Sequence, residues 1–354
     1  MRLLEQLRVV GRRRRLADAT IDAYSHWVRD FLRFSAARLG GWRHPAQVGT
    51  ADVEAFLNDL VMRRRLAASS QNQALNALVF LYKHVLEDVI PQDHLGKFLL
   101  QRSRRVARVP TVLSADEVRR VIEAIPPTRI YRLMVELLYG TGLRVSEVCT
   151  LRVRDIDLRR AQVIVRAGKG DKDRIVMLPH CLRARLEEQL ALVERNWRAD
   201  VVRGGGYAPV PDALEHKRPR AGTELPWQFV FPSAVMRRDD AGYGTRWHAD
   251  ASALDRAIND AARRAGVAKR ITCHTFRHSF ATHVLEAGYD IRQLQTLLGH
   301  ASLKTTMVYT HVMNKPAVAV TSPLDRLGTM PMDRLAGAPQ GRFDGGSGAR
   351  PIAS

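Results

Sequence analysis

Apolar side chains in the N-terminal part of the chain recur three and four positions apart. This spacing constrains the fold more than any other feature, because it is the period of an α-helix with one buried face. The clearest stripe runs from Ile21 to Leu32. Stripes of this kind predict three helices, over 20–36, 50–66 and 70–88. We therefore expect a small helical domain over 1–101.

This helical region is strongly basic. The 354-residue chain has a formal net charge of +20, with 19 basic and 10 acidic residues in 1–110 against 37 and 26 in 111–354. Such a charge favours nucleic acid over an anionic membrane or an acidic protein, because it recurs along the whole chain. Two arginine runs stand beside the predicted helices, and we weigh contact with DNA phosphates against a solvated helix face. These runs comprise Arg12, Arg13, Arg14, Arg15, Arg63, Arg64 and Arg65.

A basic linker over 102–110 leads into a region of mixed character. Ser114 and Glu117 are spaced as in a capping box, which starts a helix. Two short apolar runs, over 162–166 and 174–178, flank a turn rich in Gly and Asp and predict a β-hairpin. Further helices are predicted over 129–139, 145–151, 182–193, 251–265, 275–287 and 291–298. The expected fold class is therefore mainly α with a small β-sheet (α+β).

Two segments depart from this pattern. Residues 204–243 are rich in Gly, Pro and charge but hold the apolar cluster W-Q-F-V-F, so we interpret them as an insertion with some structure of its own. The C-terminal tail, 316–354, is dominated from Gly328 onward by Gly, Ala, Pro and Ser, which predicts partial disorder.

Several classes of protein are disfavoured. No apolar run approaches the ~18 residues that span a bilayer, and the first residues lack the apolar segment of a signal peptide. Cys149, Cys181 and Cys273 have no paired spacing for a disulfide or zinc framework. We therefore expect a soluble cytoplasmic protein.

Polar residues in the C-terminal half occur where helix packing does not require them. His274, Arg277 and His278 share one predicted helix face, and a His and an Arg three positions apart can both address one phosphate. The two histidines also mimic a zinc helix, but Thr275 stands where a metalloprotease has Glu. A plain surface pair is the alternative interpretation.

Two more candidates follow along the chain. His300 comes directly after Gly299, which is expected to end a helix, so its ring would project beyond that helix or interact with its dipole. Tyr309 lies in a β-branched stretch that forms helix poorly, which suits a nucleophile that must move, although simple packing would explain it too.

Arg144 follows a glycine turn, and Glu147 lies one helical turn further on, where it can orient Arg144 or a histidine. Lys169 lies between two glycines at the tip of the predicted hairpin, where it can reach a ligand. A mobile surface turn is the alternative for Lys169.

Taken in order, these motifs resemble the active site of the tyrosine recombinase (phage integrase) family. They are T-G-L-R-V-S-E for Arg144, G-K-G-D-K-D-R for Lys169, H-T-F-R-H for His274 and Arg277, L-L-G-H for His300 and T-T-M-V-Y for Tyr309. The resemblance spans 3–327. It implies a helical, SAM-like core-binding domain and a catalytic domain over 111–315, which close as a C-shaped clamp on DNA.

The resemblance also implies a reaction that needs neither cofactor nor metal, because one phosphate ester replaces another. In that mechanism Tyr309 attacks a DNA phosphodiester and forms a 3′-phosphotyrosyl link. Arg144 and Arg277 hold the non-bridging oxygens. The other roles are Lys169 as acid for the 5′-oxygen, His274 as acid/base for Tyr309, His300 as a second phosphate donor and Glu147 as a support. His278 and His311 have no assigned role, and the active assembly is a homo-tetramer on DNA.

Within the family, the resemblance is closest to integron integrases, over 213–232, 287–312 and 322–325. It implies that a duplex attachment site is joined to a folded single-stranded hairpin whose extrahelical bases stack on Trp227, Pro232 and His248. Each of these three side chains would equally fit the core of the insertion. The alternatives are a phage or transposon integrase or an Xer-like resolvase acting only on duplex sites, a type IB topoisomerase, and a catalytically silent DNA-binding protein.

Overall fold

The computed structural model describes residues 3–86, 110–166, 173–238, 242–300 and 302–310. The chain divides into two compact units, Met1–Arg108 and Val109–Ser354. The division falls in the predicted linker, which lies outside the described residues except for Pro110. The hairpin tip at 167–172 and the predicted disordered tail also lie outside them.

The first unit is helical, as the apolar spacing predicts. Its helices are α1 (Leu3–Arg13), α2 (Asp18–Leu39), α3 (Thr50–Asn58) and α4 (Ala68–Phe80). Both α3 and α4 continue into a turn of π-helix, over Asp59–Arg63 and Leu81–Val85. The core is aromatic, with the ring of Phe31 at 5.5 Å from that of Phe56 and 6.4 Å from that of Tyr82.

Helix α1 is absent from the sequence-based prediction. Gly11 lies inside it and weakens a helical pattern, since glycine is a poor helix former. The structure explains the glycine, because a Cβ at this position would lie 2.9 Å from Ile21 on α2. Gly11 therefore permits the close approach of α1 and α2.

The second unit combines helices with small sheets. In chain order, its described elements begin with α5 (Ala115–Ala124), α6 (Ile130–Thr141), α7 (Val145–Cys149), β1 (Ile156–Asp157), β2 (Gln162–Val165), β3 (Arg174–Met177) and α8 (Arg183–Val202). They continue with α9 (Asp212–Lys217), β4 (Pro232–Arg238), β5 (Gly244–His248), α10 (Ala251–Arg264), α11 (Cys273–Glu286), α12 (Ile291–Leu298) and α13 (Leu303–Met307). The unit is mainly α, as expected.

The predicted hairpin and capping box are confirmed. Strands β2 and β3 pair antiparallel, with Ile164 opposite Ile175, and β1 adds to the other edge of β2. The Ser114 hydroxyl accepts from the Glu117 amide at 3.2 Å, and the Glu117 carboxylate accepts from the Ser114 amide at 2.8 Å. The capping box thus predicts the start of α5 at the correct residue.

Helix α8 is longer than predicted, because its last turns are held by contacts distant in sequence. The Trp197 indole donates to the Thr223 carbonyl at 2.9 Å, and Asp200 binds the Arg246 guanidinium at 2.6 and 2.8 Å. These residues lie in or next to the insertion. A local apolar stripe cannot reveal such partners, so the prediction ended this helix too early.

The insertion is folded and docked on the rest of the unit, and its hairpin continues past the predicted boundary at 243 to the end of β5. Arg152 holds it, since its guanidinium donates to the Trp227 carbonyl at 2.5 Å and the Pro209 carbonyl at 2.6 Å. The same guanidinium covers the Phe229 ring at 4.5 Å. The insertion is therefore a structural part of the second unit.

The core of the second unit includes the contact between α6 and α11, the helix that carries His274 and Arg277. Leu133, Leu137 and Leu138 of α6 are buried, as is Phe276 of α11. Gly299 ends α12 in a left-handed conformation, φ +61°, as predicted. The short α13 follows, in keeping with its β-branched residues. No helix in the described part of the chain is long and apolar enough to cross a membrane.

Candidate active site

The candidate catalytic side chains come from separate segments of the second unit. They are Arg144 before α7, His274 and Arg277 on α11, His300 after α12 and Tyr309 after α13. The fold brings four of them together, since Arg277 contacts His300, the His300 and Tyr309 rings stack, and Arg144 lies beside the Gly299 carbonyl. His274 lies one helical turn away, next to His278. Lys169 lies outside the described residues, so its place in the site stays a prediction.

Arg277 is the buried centre of this site, with 4% of its surface exposed. Its guanidinium donates to the carbonyl oxygens of Gly142 and, at 2.7 Å, of Leu298. One nitrogen also lies 3.1 Å from His300 Nε2. Burial, followed by the charge of Arg144, lowers the pKa of Arg277 to about 10. The side chain therefore remains a cation at neutral pH, in an orientation set by backbone carbonyls at helix ends.

Glu147 connects two further arginines. It accepts from the Arg144 guanidinium at 2.8 Å and from Arg174 at 2.6 and 2.9 Å. Of the two partners expected for Glu147, an arginine or a histidine, the structure has the arginine. Burial alone would raise the pKa of this carboxyl, but the hydrogen bonds from Arg174 and from the Arg144 backbone lower it to about 2.

The site is strongly cationic as a result. Arg144, Arg174 and Arg277 gather around one ionised carboxylate, that of Glu147, so positive charge remains in excess. The Arg144 guanidinium also lies 3.4 Å from the Gly299 carbonyl, close to the loop that carries His300. Partly buried, pre-oriented guanidinium groups are the donors that best match a phosphate.

Tyr309 points its hydroxyl into this cluster. The residue is 3% exposed, and its ring lies parallel to that of His300, with 6.2 Å between centroids. The hydroxyl lies 3.2 Å from His278 Nδ1. Burial raises the pKa of the phenol, against the opposing charges of Arg277 and Arg144. Tyr309 is thus a protonated phenol beside positive charge.

His300 is held as a neutral ring. Burial, and then the charges of Arg277 and Arg144, lower its pKa to about 4. Because the Arg277 guanidinium can only donate, Nε2 accepts and Nδ1 carries the proton, which it donates to the Thr306 hydroxyl at 3.0 Å. Arg277 therefore sets the tautomer of His300, and Thr306 holds the ring through its other nitrogen.

His274 and His278 lie on successive turns of α11, with 6.4 Å between ring centroids. His274 is exposed, whereas His278 is half-buried and contacts Tyr309. The family resemblance implies the acid/base role for His274 and none for His278. His311, the other unassigned histidine, lies outside the described residues.

The arginine runs of the first unit are not equivalent. Arg12 is exposed and lies 3.9 Å from Asp18, and the three residues after it are exposed too. Arg64 is bound by Asp30 and Asp59, both at 2.7 Å, and covers the Phe56 ring. Arg64 therefore has a structural role that competes with the predicted DNA contact. The neighbours of Arg64 are more exposed than Arg64 itself. Arg63 is exposed although it pairs with Asp59, and Arg65 is exposed as well.

Two of the three residues predicted to stack on bases, Trp227 and His248, line one cavity of about 510 Å³, whereas Pro232 is outside its lining. Trp227 is 7% exposed in a small core with Val210 and Ala221, and the Arg154 guanidinium covers its ring at 3.4 Å. This placement matches the alternative interpretation, a core residue of the insertion. His248 is half-buried on β5, opposite Pro232 of β4.

Three further side chains of the active site and the insertion cavity were not predicted from the sequence. Arg174 stands in the quoted motif G-K-G-D-K-D-R, yet only the strand pairing brings it to Glu147. The sequence indicates Thr306 only as part of a β-branched stretch that forms helix poorly. Trp247 is 43% exposed and lines the cavity of the insertion, where its position in an alternating strand was the available signal.

A metal centre has no support in the described part of the chain, where no three His, Cys, Asp or Glu side chains cluster as ligands. The site instead offers cations and a phenol. This combination, on a helical unit with small sheets, defines the class of the tyrosine recombinases.

Comparison with known proteins identifies the family. The phage integrase family profile matches residues 111–315, and the profile of the phage integrase N-terminal SAM-like domain matches residues 3–92. The chain belongs to the phage integrase family and is a tyrosine recombinase enzyme.

Individual relatives cover most of the chain. An integrase/recombinase from Escherichia coli is 44% identical over 329 residues, which are 92% of this chain and 94% of the relative. Tyrosine recombinase XerA from Thermococcus onnurineus (strain NA1) is 36% identical over 294 residues, 83% of this chain and 84% of the relative. The Tn1549 transposon integrase in complex with transposon right end DNA has a TM-score of 0.56 over 95% of this chain and 100% of that chain, at 18% identity. This last similarity concerns the fold.

Proposed function

We propose that this protein cuts and rejoins DNA at specific sites through a covalent bond between Tyr309 and a 3′-phosphate. One observation carries the proposal. The Tyr309 hydroxyl is buried beside Arg277 and Arg144, so a nucleophile and the cations that stabilise a phosphorane share one site.

In this mechanism the two arginines hold the non-bridging oxygens while the phenol oxygen attacks phosphorus. Lys169 gives a proton to the leaving 5′-oxygen. His300 donates to the phosphate after bound DNA replaces its contact with Arg277, with Nε2 then carrying the proton and Nδ1 accepting from the Thr306 hydroxyl. His274 contributes an acid/base group near the phosphate. One phosphate ester replaces another, so bond energy is retained and neither ATP nor metal is required.

The reverse attack by a 5′-hydroxyl from a second duplex yields recombinant DNA, which requires several protomers. We propose a homo-tetramer on two DNA sites. The excess of basic residues in both units supports a DNA partner, because DNA carries one charge per phosphate along its length.

We further propose that the enzyme is an integron-type integrase, which joins a duplex site to a folded single-stranded hairpin. The folded insertion supports this role, since Trp247 and His248 line a cavity next to basic side chains where an unpaired base can stack. The second candidate is an integrase or Xer-like resolvase that acts only on duplex sites. The XerA relative favours it, because the alignment covers most of both chains.

A trapping assay tests the chemistry. The protein is incubated with a nicked duplex whose cleavage releases a short fragment, so the covalent adduct accumulates. We expect an adduct that migrates as protein plus DNA and disappears in Tyr309→Phe. The absence of adduct with both duplex and hairpin substrates would contradict the proposed reaction.

A paired comparison tests the finer assignment. Trp247→Ala removes an exposed ring from the insertion, and Trp42→Ala removes one that is 71% exposed in the first unit. We expect Trp247→Ala to lower recombination of the hairpin at least tenfold more than that of the duplex, and Trp42→Ala to leave the ratio unchanged. If Trp247→Ala lowers recombination of the hairpin and of the duplex by the same factor, the result would favour the duplex-only enzyme.

A further inference from the structure

His278 is a half-buried titratable group that the proposed mechanism does not use. It follows Arg277 on α11, and its ring lies 5.5 Å from the ring of Tyr309. The distance from its Nδ1 atom to the phenol oxygen is 3.2 Å, within hydrogen-bonding range. The phenol also has a side-chain hydrogen bond with Arg277, which can only donate to its oxygen, so His278 is the neighbour placed to accept the phenol proton.

The direction of this hydrogen bond follows from the two protonation states. Burial raises the pKa of Tyr309, so the phenol carries its proton. Burial, and then the charges of His274 and Arg277, lower the pKa of His278 to about 4, so the ring is neutral at pH 7. The phenol therefore donates, Nδ1 accepts, and the ring proton of His278 is on Nε2.

We infer that His278 is the base that receives the Tyr309 proton during attack on DNA. As the bond between the phenol oxygen and phosphorus forms, the O–H bond breaks and its proton passes to Nδ1. The bond between phosphorus and the 5′-oxygen breaks, and that oxygen takes a proton from the acid proposed as Lys169. In the return reaction, the imidazolium gives the proton back as the phosphotyrosyl bond breaks. This inference rests on the proposed function.

The surrounding charges are compatible with this step. Arg277 and His274 oppose a charge on His278 in the free protein. A bound phosphodiester adds a negative charge to the site and offsets that repulsion. The charged form of His278 is then favoured as the proton moves from the phenol to Nδ1. The helix geometry also separates the two histidines, because His278 contacts the phenol while His274 is exposed and free to meet DNA.

Single-turnover adduct formation by the full chain on the nicked duplex tests the inference. His278→Asn keeps a polar group near the position of Nδ1 but lacks a basic nitrogen. We expect it to slow adduct formation by about 10²-fold or more, as for loss of a general base. His283→Asn is the matched control, because His283 lies on the same helix and bonds the Tyr139 hydroxyl at 2.9 Å, away from the reacting groups. Its rate should stay close to that of the wild type.

A second substrate separates the two ends of the reaction. When sulfur replaces the bridging 5′-oxygen, the leaving group needs no proton, so Lys169→Ala should recover on this substrate. His278→Asn should not recover, since its defect lies at the nucleophile.

Three results would overturn the inference while the proposed function stands. One is a near wild-type rate for His278→Asn together with a large loss for His274→Asn. Another is a loss in His278→Ala that His278→Asn does not share, which would mean that His278 only positions the phenol. The third is recovery of His278→Asn on the sulfur substrate. An absence of any Tyr309-dependent adduct in the wild type would instead contradict the proposed function.

Discussion

Replacing Arg174 by alanine should destabilise the second unit strongly. The Arg174 side chain is 8% exposed. Its two terminal nitrogens donate to the Glu147 carboxylate, and its Nε donates to the Leu297 carbonyl at 3.0 Å. Arg174→Ala leaves a buried carboxylate with Arg144 as its remaining cation. Removing one partner of a buried ion pair costs about 3–5 kcal/mol, because the other charge stays desolvated. We expect a loss of that size in the free energy of unfolding.

The control is an exposed ion pair in the same unit. Arg183 and Glu187 lie 3.0 Å apart on α8, with about half of each side chain exposed. Pairs of this kind contribute about 0–1 kcal/mol, so Arg183→Ala should change stability little.

Hydrogen–deuterium exchange of the full chain in increasing urea measures both variants, because it reports the opening free energy of α11 and α12 separately from the first unit. A double-mutant cycle with Glu147→Ala should show a coupling of about 0.5–3 kcal/mol between the two sites. If Arg174→Ala costs no more than Arg183→Ala, the buried pair does not stabilise the site as argued.

Further outcomes follow from the same contacts. Thr306→Val removes the hydrogen-bond partner of His300 Nδ1, so single-turnover cleavage should fall about tenfold while DNA affinity, measured by gel shift, is retained. The folded-state pKa of Glu147, about 2, lies below its ordinary value of 4.5, so its contribution to stability is present above pH 4.5 and lost as the pH falls towards 2. Acid unfolding should show this loss, and Glu147→Gln should lack it. Gly142→Ala places a Cβ 2.4 Å from the Phe280 ring at a backbone φ of +66°, which should cost about 2–4 kcal/mol in urea unfolding.

Amphipathic patterns predicted most helices because those helices bury one face. Helix α12 has the predicted bounds, and the α5 capping box is local to four residues. The failures have a common physical cause. Gly11 serves a contact with Ile21, and the end of α8 is held by Thr223 and Arg246, so neither is visible in a local pattern.

The candidate site was predictable as a set of residues but not as a network. Motif order indicated Arg144, Arg277 and Tyr309. It did not show that β3 carries Arg174 to a carboxylate 27 positions away, since that contact depends on the strand pairing. Nor did it show which histidine meets the phenol, because that contact joins residues 31 positions apart in the sequence.

The burial of Tyr309 has a consequence for selectivity. An enzyme of this kind meets far more phosphodiesters than recombination sites, and an exposed nucleophile would nick many of them. Here the proposed nucleophile is 3% exposed and shielded by the rings of His278 and His300. In the free protein the phenol oxygen is therefore hidden from a DNA strand that does not rearrange the site. We expect bound DNA to displace the contacts of His300 and to leave the Tyr309–His278 contact in place, so a DNA site is selected by its ability to open this side of the shield as well as by its affinity.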